Sequence, residues 1–349
     1  AQLAWSASYA SPTSPWPATE SIHPFPGGGV ITSSGSGQPD SFADGEAVIR
    51  RLTENGDQVW EVSIPLPRQN YLGYGYRKYR AETSVGASGD VAVAIGSVDG
   101  MSVQLYGPDG VLRWTQDLMP VTGPHFVFGT LRVAPDGDVV LAVVEALFGG
   151  GSTERFGLYR LAASDGSVLW TRGERAHRGV LLALDSAGDV LLTVNRRSAG
   201  FANFQLDRFD ASGTITGSLP IPRGAPEFKV HALEIDPSDR LLLLTSDSST
   251  NYIVSVDPTM SIEWTAAAPF PDLRHMALMT DGDVVVTRWG IGTEHSRYGR
   301  QGNLVHSATL GAPGPHFTGP VIGLPNGNSL VSGTEVLPFG QPPMLILEE

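Results

Sequence analysis

Residues 134–144 read APDGDVVLAVV, an Asp-Gly-Asp turn feeding directly into an apolar run from Val139 to Val144. The glycine supplies the positive φ of a tight hairpin, the aspartates cap the turn, and the β-branched run that follows is strand-forming. The phrase recurs along the chain. It returns as ASGDVAVAIGS from Ala87, SAGDVLLTV from Ser186, PSDRLLLLTS from Pro237, TDGDVVVTRW from Thr280, PNGNSLVSG from Pro325 and, more loosely, PGGGVITSS from Pro26. Seven copies make a repeat, and a repeat decides the fold class before any motif does.

A second phrase follows the first: a strand, a turn, and a strand with tryptophan four residues after the turn glycine. It reads TENGDQVW to Trp60, GPDGVLRW to Trp114 and ASDGSVLW to Trp170. In DPTMSIEW, ending at Trp264, Met260 replaces the glycine, while in DASGTITG and RQGNLVHS the tryptophan place holds Gly217 and His306. After the seventh first phrase no such strand follows before Glu349. The opening residues, AQLAWSASYA, supply one: with Ala1 in the place of the turn glycine, Trp5 stands four residues on.

This circular completion predicts an all-β chain, a seven-bladed β-propeller of four-stranded antiparallel blades, its ring closed by the N-terminal strand completing the last blade. Sealing matters because an open ring would expose unpaired strand edges and apolar blade faces. The expected organisation is one domain over residues 1–349, with blades near 19–64, 79–118, 125–173, 177–220, 229–268, 274–311, and 316–349 together with 1–10. The repeated tryptophan is expected to be a plug between neighbouring blades. The Asp-Gly-Asp turns are expected to be capped hairpins and not calcium loops, since none has the ligand number of an EF-type loop.

Composition agrees. With 42 Gly and 26 Pro in 349 residues and no apolar stretch of helical period, the chain reads as strands and turns. No run approaches the roughly 20 apolar residues of a transmembrane helix. The absence of cysteine removes disulfides, thiolate metal sites and cysteine nucleophiles, and it suits an exported bacterial protein, periplasmic, cell-surface or secreted. A net charge of −13 disfavours nucleic acid as a partner.

The segment LYRLAASDGSVLWTRGE (Leu158–Glu174) and its sisters ending at Trp60 and Trp114 resemble the repeat of the quinoprotein-like (PQQ-like) β-propellers, in which a turn of this kind docks one blade on the next. The resemblance covers most of the chain as a pattern and implies architecture. The superfamily includes quinone-dependent dehydrogenases and cofactor-free scaffolds such as an outer-membrane assembly lipoprotein. The vicinal cysteine pair of many of the dehydrogenases has no counterpart here, and no local match to their calcium- and quinone-binding segments is found. The resemblance therefore points to the scaffold members, with no cofactor.

With strands labelled A (innermost) to D in each blade, A–B and C–D turns share one face, and B–C and D–A connections share the other. The first set is short and uniform. The second holds the long irregular segments, such as SSGSGQPDSFADG from Ser33 and PRQNYLGYGYRKYR from Pro67, and loops that vary over a rigid scaffold are where binding sites are built. In the second of these, Tyr71, Tyr74, Tyr76 and Tyr79 interleave with Arg77, Lys78 and Arg80, offering flat apolar faces, hydroxyls and positive charge. The D–A connectors carry nine basic residues (Arg68, Arg77, Lys78, Arg80, Arg175, Arg178, Arg223, Lys229, Arg274) against four acids (Glu20, Glu174, Glu227, Asp272).

Six of the eight histidines, His23, His125, His177, His231, His275 and His316, fall in D–A connectors or early in A strands, which line the channel. His231 and His275 are placed to match in successive blades and are the candidate ligands of a divalent metal. Two function classes result. One is a non-catalytic binding or scaffold protein, a monomer, engaging a protein partner or an acidic glycan through Tyr71, Tyr74, Tyr76, Arg77, Tyr79, Arg80, His125, Arg274 and His316. The other is a metal-assisted polysaccharide lyase or hydrolase using the channel histidines, an arrangement similar to that of certain pectate-degrading propeller lyases.

Overall fold

The computed structural model describes residues 6–7, 18–36, 45–66, 81–96, 100–118, 125–147, 155–175, 177–198, 201–221, 229–247, 250–268, 273–288, 293–310, 316–323, 329–335 and 345–346. Among them there is no helix. Strand β1 (Ser6–Ala7) comes first. The first four-stranded sheet then runs β2 (Ala18–Pro24), β3 (Val30–Ser36), β4 (Gly45–Leu52) and β5 (Gln58–Leu66). The second is β6 (Ala81–Val85), β7 (Val91–Gly96), β8 (Met101–Tyr106) and β9 (Leu112–Leu118). The third is β10 (His125–Val133), β11 (Val139–Leu147), β12 (Arg155–Leu161) and β13 (Val168–Arg175). The fourth is β14 (His177–Leu184), β15 (Val190–Ser198), β16 (Phe201–Phe209) and β17 (Ile215–Pro220). The fifth is β18 (Lys229–Ile235), β19 (Leu241–Ser246), β20 (Asn251–Val256) and β21 (Ile262–Ala268). The sixth is β22 (Leu273–Leu278), β23 (Val284–Arg288), β24 (Thr293–Tyr298) and β25 (Leu304–Leu310).

Each of these six sheets is an antiparallel meander in chain order. Two two-stranded sheets accompany them: β26 (His316–Gly323) with β27 (Ser329–Glu335), and β28 (Leu345–Ile346) with β1. Ser6 lies opposite Ile346 and Ala7 opposite Leu345, so the first and last described strands pair. The inner strands β2, β6, β10, β14, β18, β22 and β26 follow one another side by side, and β26 lies against β2 as well as β22. The inner strands thus close a ring.

The core is distributed between the sheets. In β11, Val139, Leu141 and Val143 pack with the preceding sheet against Val103, Leu105 and Trp114, while Val140, Ala142 and Val144 pack with the following one against Leu182, Leu192 and Val194. A strand buried on both faces must be apolar at every position, which is why the second strands read VAVAIG, VVLAVV and LLLLTS without alternation. Outer strands have one free edge and alternate, as β9 does.

The turns show how the phrase works. Ala134 N–H donates to the Asp138 carbonyl (2.7 Å) and Gly137 N–H to the Ala134 carbonyl (2.9 Å), with Gly137 at φ 91°. The two carboxylates grip an arginine of the third strand: Arg160 Nη2 meets Asp136 Oδ2 at 2.6 Å and Nε meets Asp138 Oδ2 at 2.8 Å. Arg297 is held in the same way by Asp281 and Asp283, and Arg208 by Asp185 and Asp189. The aspartates of these turns are therefore committed to structural ion pairs.

Among the described residues four tryptophans each dock one sheet on the next. Trp114 Nε1 donates to the Ala163 carbonyl (2.9 Å), and its ring lies beneath the turn glycine Gly166, whose added Cβ would stand 2.6 Å from the ring. Trp60 under Gly110, Trp170 under Gly213 and Trp264 under Gly302 repeat this, with indole N–H bonds to Pro108 (3.0 Å), Ala211 (2.7 Å) and Arg300 (2.9 Å). Gly217 breaks the series, and the structure compensates twice. Met260, at φ 68°, brings its Cγ to 3.5 Å from the Cβ position of Gly217, and Arg208 Nη1 takes the Pro258 carbonyl (2.9 Å) that an indole would have taken.

Candidate functional site

The sequence nominates the face bearing the D–A and B–C connections and the axial channel. Tyr71, Tyr74, Tyr76, Arg77, Tyr79 and Arg80 lie outside the described residues, in the segment joining β5 to β6. His125, Arg274 and His316 are placed by their backbones in β10, β22 and β26, three inner strands of the ring. His231 is half-buried in β18, and its Nε2 lies 2.6 Å from Ser246 Oγ, so that nitrogen already has a protein partner. The register separates it from His275. His231 is the bulged residue between Val230 and Ala232, and the bulged residue of β22 is Arg274, which leaves His275 one step away from the equivalent place. Both strands bulge at the same place counted from the A–B turn, and His275 lies one residue nearer its turn than His231 does, so pairing puts the two histidines at different places. Among the described residues no three His, Asp or Glu side chains gather as a metal-binding group.

A different set of inner-strand residues comes together. His23, Arg132 and Glu234 are the penultimate residues of β2, β10 and β18, opposite Ile31, Val140 and Leu242 respectively. They therefore stand at one level of the ring, near the A–B turns. The Arg132 charge acts on both of the others. Burial, reinforced by that charge, pulls the pKa of His23 from 6.5 down to about 3, and burial pushes that of Glu234 up against the pull of Arg132. His23 as a residue is partly exposed, yet its Nε2 is enclosed and without a hydrogen-bond partner, while the ring bonds to the Thr83 backbone.

Next to His23 the seam between the first two sheets is lined with hydroxyls. Ser21 Oγ lies 2.6 Å from Ser33 Oγ and also meets Thr83 Oγ1, all three buried. At the position of Thr83 the next four inner strands carry Leu131, Leu182, Leu233 and Met276, each packed in an apolar cluster. The polar seam is thus a departure from the repeat, and the connector 67–80 joins the two sheets that form it.

His23 gives a pH prediction. Unfolded, it titrates near 6.5; folded, near 3. Between those values the unfolded chain binds a proton that the folded chain refuses, so this residue's contribution is complete above pH 6.5 and is lost as pH falls toward 3. Glu234, with its raised folded pKa, acts with the opposite sign and loses its contribution as pH rises through that value. Urea midpoints measured from neutral to acid pH are expected to fall less steeply in His23→Gln than in the parent, and equal slopes would refute the assignment.

No protein-family model matches the sequence, and no curated protein matches it. Solved structures do. The Dos1 propeller is 13% identical with a TM-score of 0.54, over 96% of this chain and 85% of that one. Puromycin hydrolase is 16% identical with a TM-score of 0.61, over 96% of this chain and 54% of that one. An acylaminoacyl peptidase bound to Z-Gly-Gly-Phe-chloromethyl ketone is 9% identical with a TM-score of 0.60, over 95% of this chain and 51% of that one. The chain spans about half the length of the last two proteins. At these identities the likeness is one of fold, and that fold is the β-propeller.

Proposed function

We propose that the chain is a non-catalytic binding or scaffold protein that engages a protein partner or an acidic glycan through the face of its D–A and B–C connections and its channel mouth. In this reading the molecule is a single seven-bladed propeller of PQQ-like repeats, exported and monomeric. Its seventh blade is β26, β27, β28 and β1 in order from the axis: β26 pairs with β27, β27 lies beside β28, and β28 pairs with β1.

The observation that carries the reading is where the recurring reactive residues go. The Asp pairs, their arginines and the tryptophans are used in holding blade to blade at the A–B and C–D turns. The long connectors of the other face are left as sequence that the repeat does not require, and they concentrate basic residues in a chain of net charge −13. A basic rim on an acidic body draws in anionic ligands and speeds their encounter.

Polygalacturonate is the expected probe. It should bind in low salt, bind more weakly as salt rises, and lose about tenfold in affinity in the Arg77→Ala/Arg80→Ala double variant. Equal binding of neutral dextran, or indifference to that double variant, would remove the acidic-glycan reading. The metal-assisted lyase or hydrolase is the competing reading, with His231 and His275 as ligands. It replaces the first if the purified protein contains stoichiometric Mn, Zn, Ca or Ni that is lost in His231→Ala/His275→Ala.

A further inference from the structure

Five seams join the six four-stranded sheets in chain order, and four of them are pinned by an indole, that of Trp60, Trp114, Trp170 or Trp264. The seam between the fourth and fifth sheets has Gly217 in the place of the tryptophan and Met260 in the place of the turn glycine. There the contact is reversed. The turn residue of one sheet reaches over the outer strand of the other, with Met260 Cγ 3.5 Å from the Cβ position of Gly217, and its side chain packs on the apolar cluster that includes Leu206, Leu243 and Val254. A thioether on a flexible stem fills the gap that the missing ring leaves.

That filling brings a chemistry that an indole seam does not have. The chain holds no cysteine, so all its sulfur is methionine. Among the described residues Met101, Met276 and Met279 are buried, whereas Met260 is only partly buried and stands between Thr259 and Ser261, both exposed. The turn fixes it there: Met260 N–H donates to the Asp257 carbonyl at 3.0 Å, and Asp257 Oδ1 accepts from Ser261 N–H at 2.8 Å and from Thr259 Oγ1 at 2.7 Å. Methionine oxidation follows access, and hydrogen peroxide needs no other reactant. The sulfur lone pair takes one oxygen, the O–O bond breaks, and the second oxygen leaves as water.

The sulfoxide does not suit the seam. Its oxygen is a strong acceptor that loses by burial unless a donor meets it. Arg208, the guanidinium of this seam, has every nitrogen committed: Nη1 to the Pro258 carbonyl at 2.9 Å, Nε to Asp189 Oδ2 at 3.1 Å and Nη2 to Asp185. The new oxygen therefore turns to water and lifts the side chain off Gly217. Met260 also sits at φ 68°, a strained conformation that its packing holds in place.

We propose that Met260 is a reversible peroxide-sensitive modification site, whose oxidation to the sulfoxide unlatches the seam between the fourth and fifth sheets. The assignment is separate from the binding or scaffold reading, and neither depends on the other.

Graded hydrogen peroxide on the intact folded chain, read by peptide mass mapping, tests it. The peptide holding Met260 should gain oxygen at least about tenfold faster than those holding Met101, Met276 and Met279. The oxidised protein should unfold at a lower urea midpoint, and its β17 and β21 amides should exchange hydrogen faster while those of β9 keep their protection. Methionine sulfoxide reductases with a dithiol should restore the midpoint, the oxygen leaving as water and the two thiols closing to a disulfide. Met260→Leu keeps the apolar volume and should hold its midpoint through the same peroxide treatment. Met260 oxidised no faster than the three buried methionines, an unchanged midpoint after its oxidation, a drop that the reductases leave in place, or an equal drop in Met260→Leu would each overturn the proposal.

Discussion

Trp114→Ala is expected to cost about 3–5 kcal/mol of unfolding free energy, as large aromatic truncations in a packed interior do. The indole is 7% exposed and belongs to the cluster joining the second and third sheets, and its N–H fills the Ala163 carbonyl. Gly166→Ala attacks the same seam from the other side. At φ 73° an alanine is strained wherever it sits, and here its Cβ would stand 2.6 Å from Trp114 Cε3. The strain alone is worth about 1–3 kcal/mol, and the overlap adds to it. The seam at Gly217, where the tryptophan is missing, supplies the control. Gly217→Trp alone should destabilise, because Met260 occupies the space, and Met260→Gly alone should leave a gap while relieving the strain of φ 68°. The double variant recreates the common pair and should be more stable than the sum of the singles by about 1–3 kcal/mol. Urea unfolding of the four proteins decides it; strict additivity would show that the pairing of ring and glycine is incidental.

The repeat was legible because its cause is local. A turn that needs positive φ writes glycine, a strand buried on both faces writes an unbroken apolar run, and a ring docked by indoles writes tryptophan at a fixed offset. Trp60, Trp114, Trp170 and Trp264 all dock as the offset predicts, and the pairing of Ser6 with Ile346 agrees with a first strand that belongs beside the last. The candidate site was less legible, for two physical reasons. Side chains that meet across an axis are tens of residues apart, and their level depends on the register of each inner strand. Single-residue bulges at Glu20, His231 and Arg274 fall at the same place counted back from the A–B turn, so they leave these three strands in step. His231 and His275 both stand early in an A strand, yet His275 is one residue nearer its turn, while His23, Arg132 and Glu234 share a level but belong to three residue types that no repeated motif marks. The signal that could have found them is distance from the following turn: each stands two residues before the residue that opens its A–B turn, Phe25, Ala134 or Asp236.

Arg240→Met should be the most damaging single charge deletion among the arginine clamps. Asp236 and Arg240 are the most secluded of the ion pairs among the described residues, with side chains 1% and 8% exposed. Arg240 Nε donates to Asp236 Oδ2 at 3.0 Å, Nη1 to the Arg300 carbonyl at 2.6 Å and Nη2 to the Gly282 carbonyl at 2.9 Å, so one guanidinium ties a turn of the fifth sheet to both turns of the sixth. Removing it strands the carboxylate. Ser238 N–H, Ser238 Oγ–H and Arg240 N–H all serve Oδ1, which leaves Oδ2 facing only the Arg300 guanidinium at 3.9 Å. Breaking a secluded pair from one side costs about 3–5 kcal/mol, most of it the uncompensated charge. Arg240→Lys should recover little, because an ammonium on a flexible stem cannot reach three acceptors held in a plane. Asp236→Asn added to Arg240→Met should recover part of the loss, since the amide oxygen keeps the three donors and the stranded charge is gone. The penalty of Arg240→Met alone should also shrink as pH falls, because protonation neutralises the same carboxylate. If Arg240→Met costs less than about 1 kcal/mol at neutral pH, or if the second substitution deepens the loss, the pair contributes orientation to the turn and not cohesion between blades.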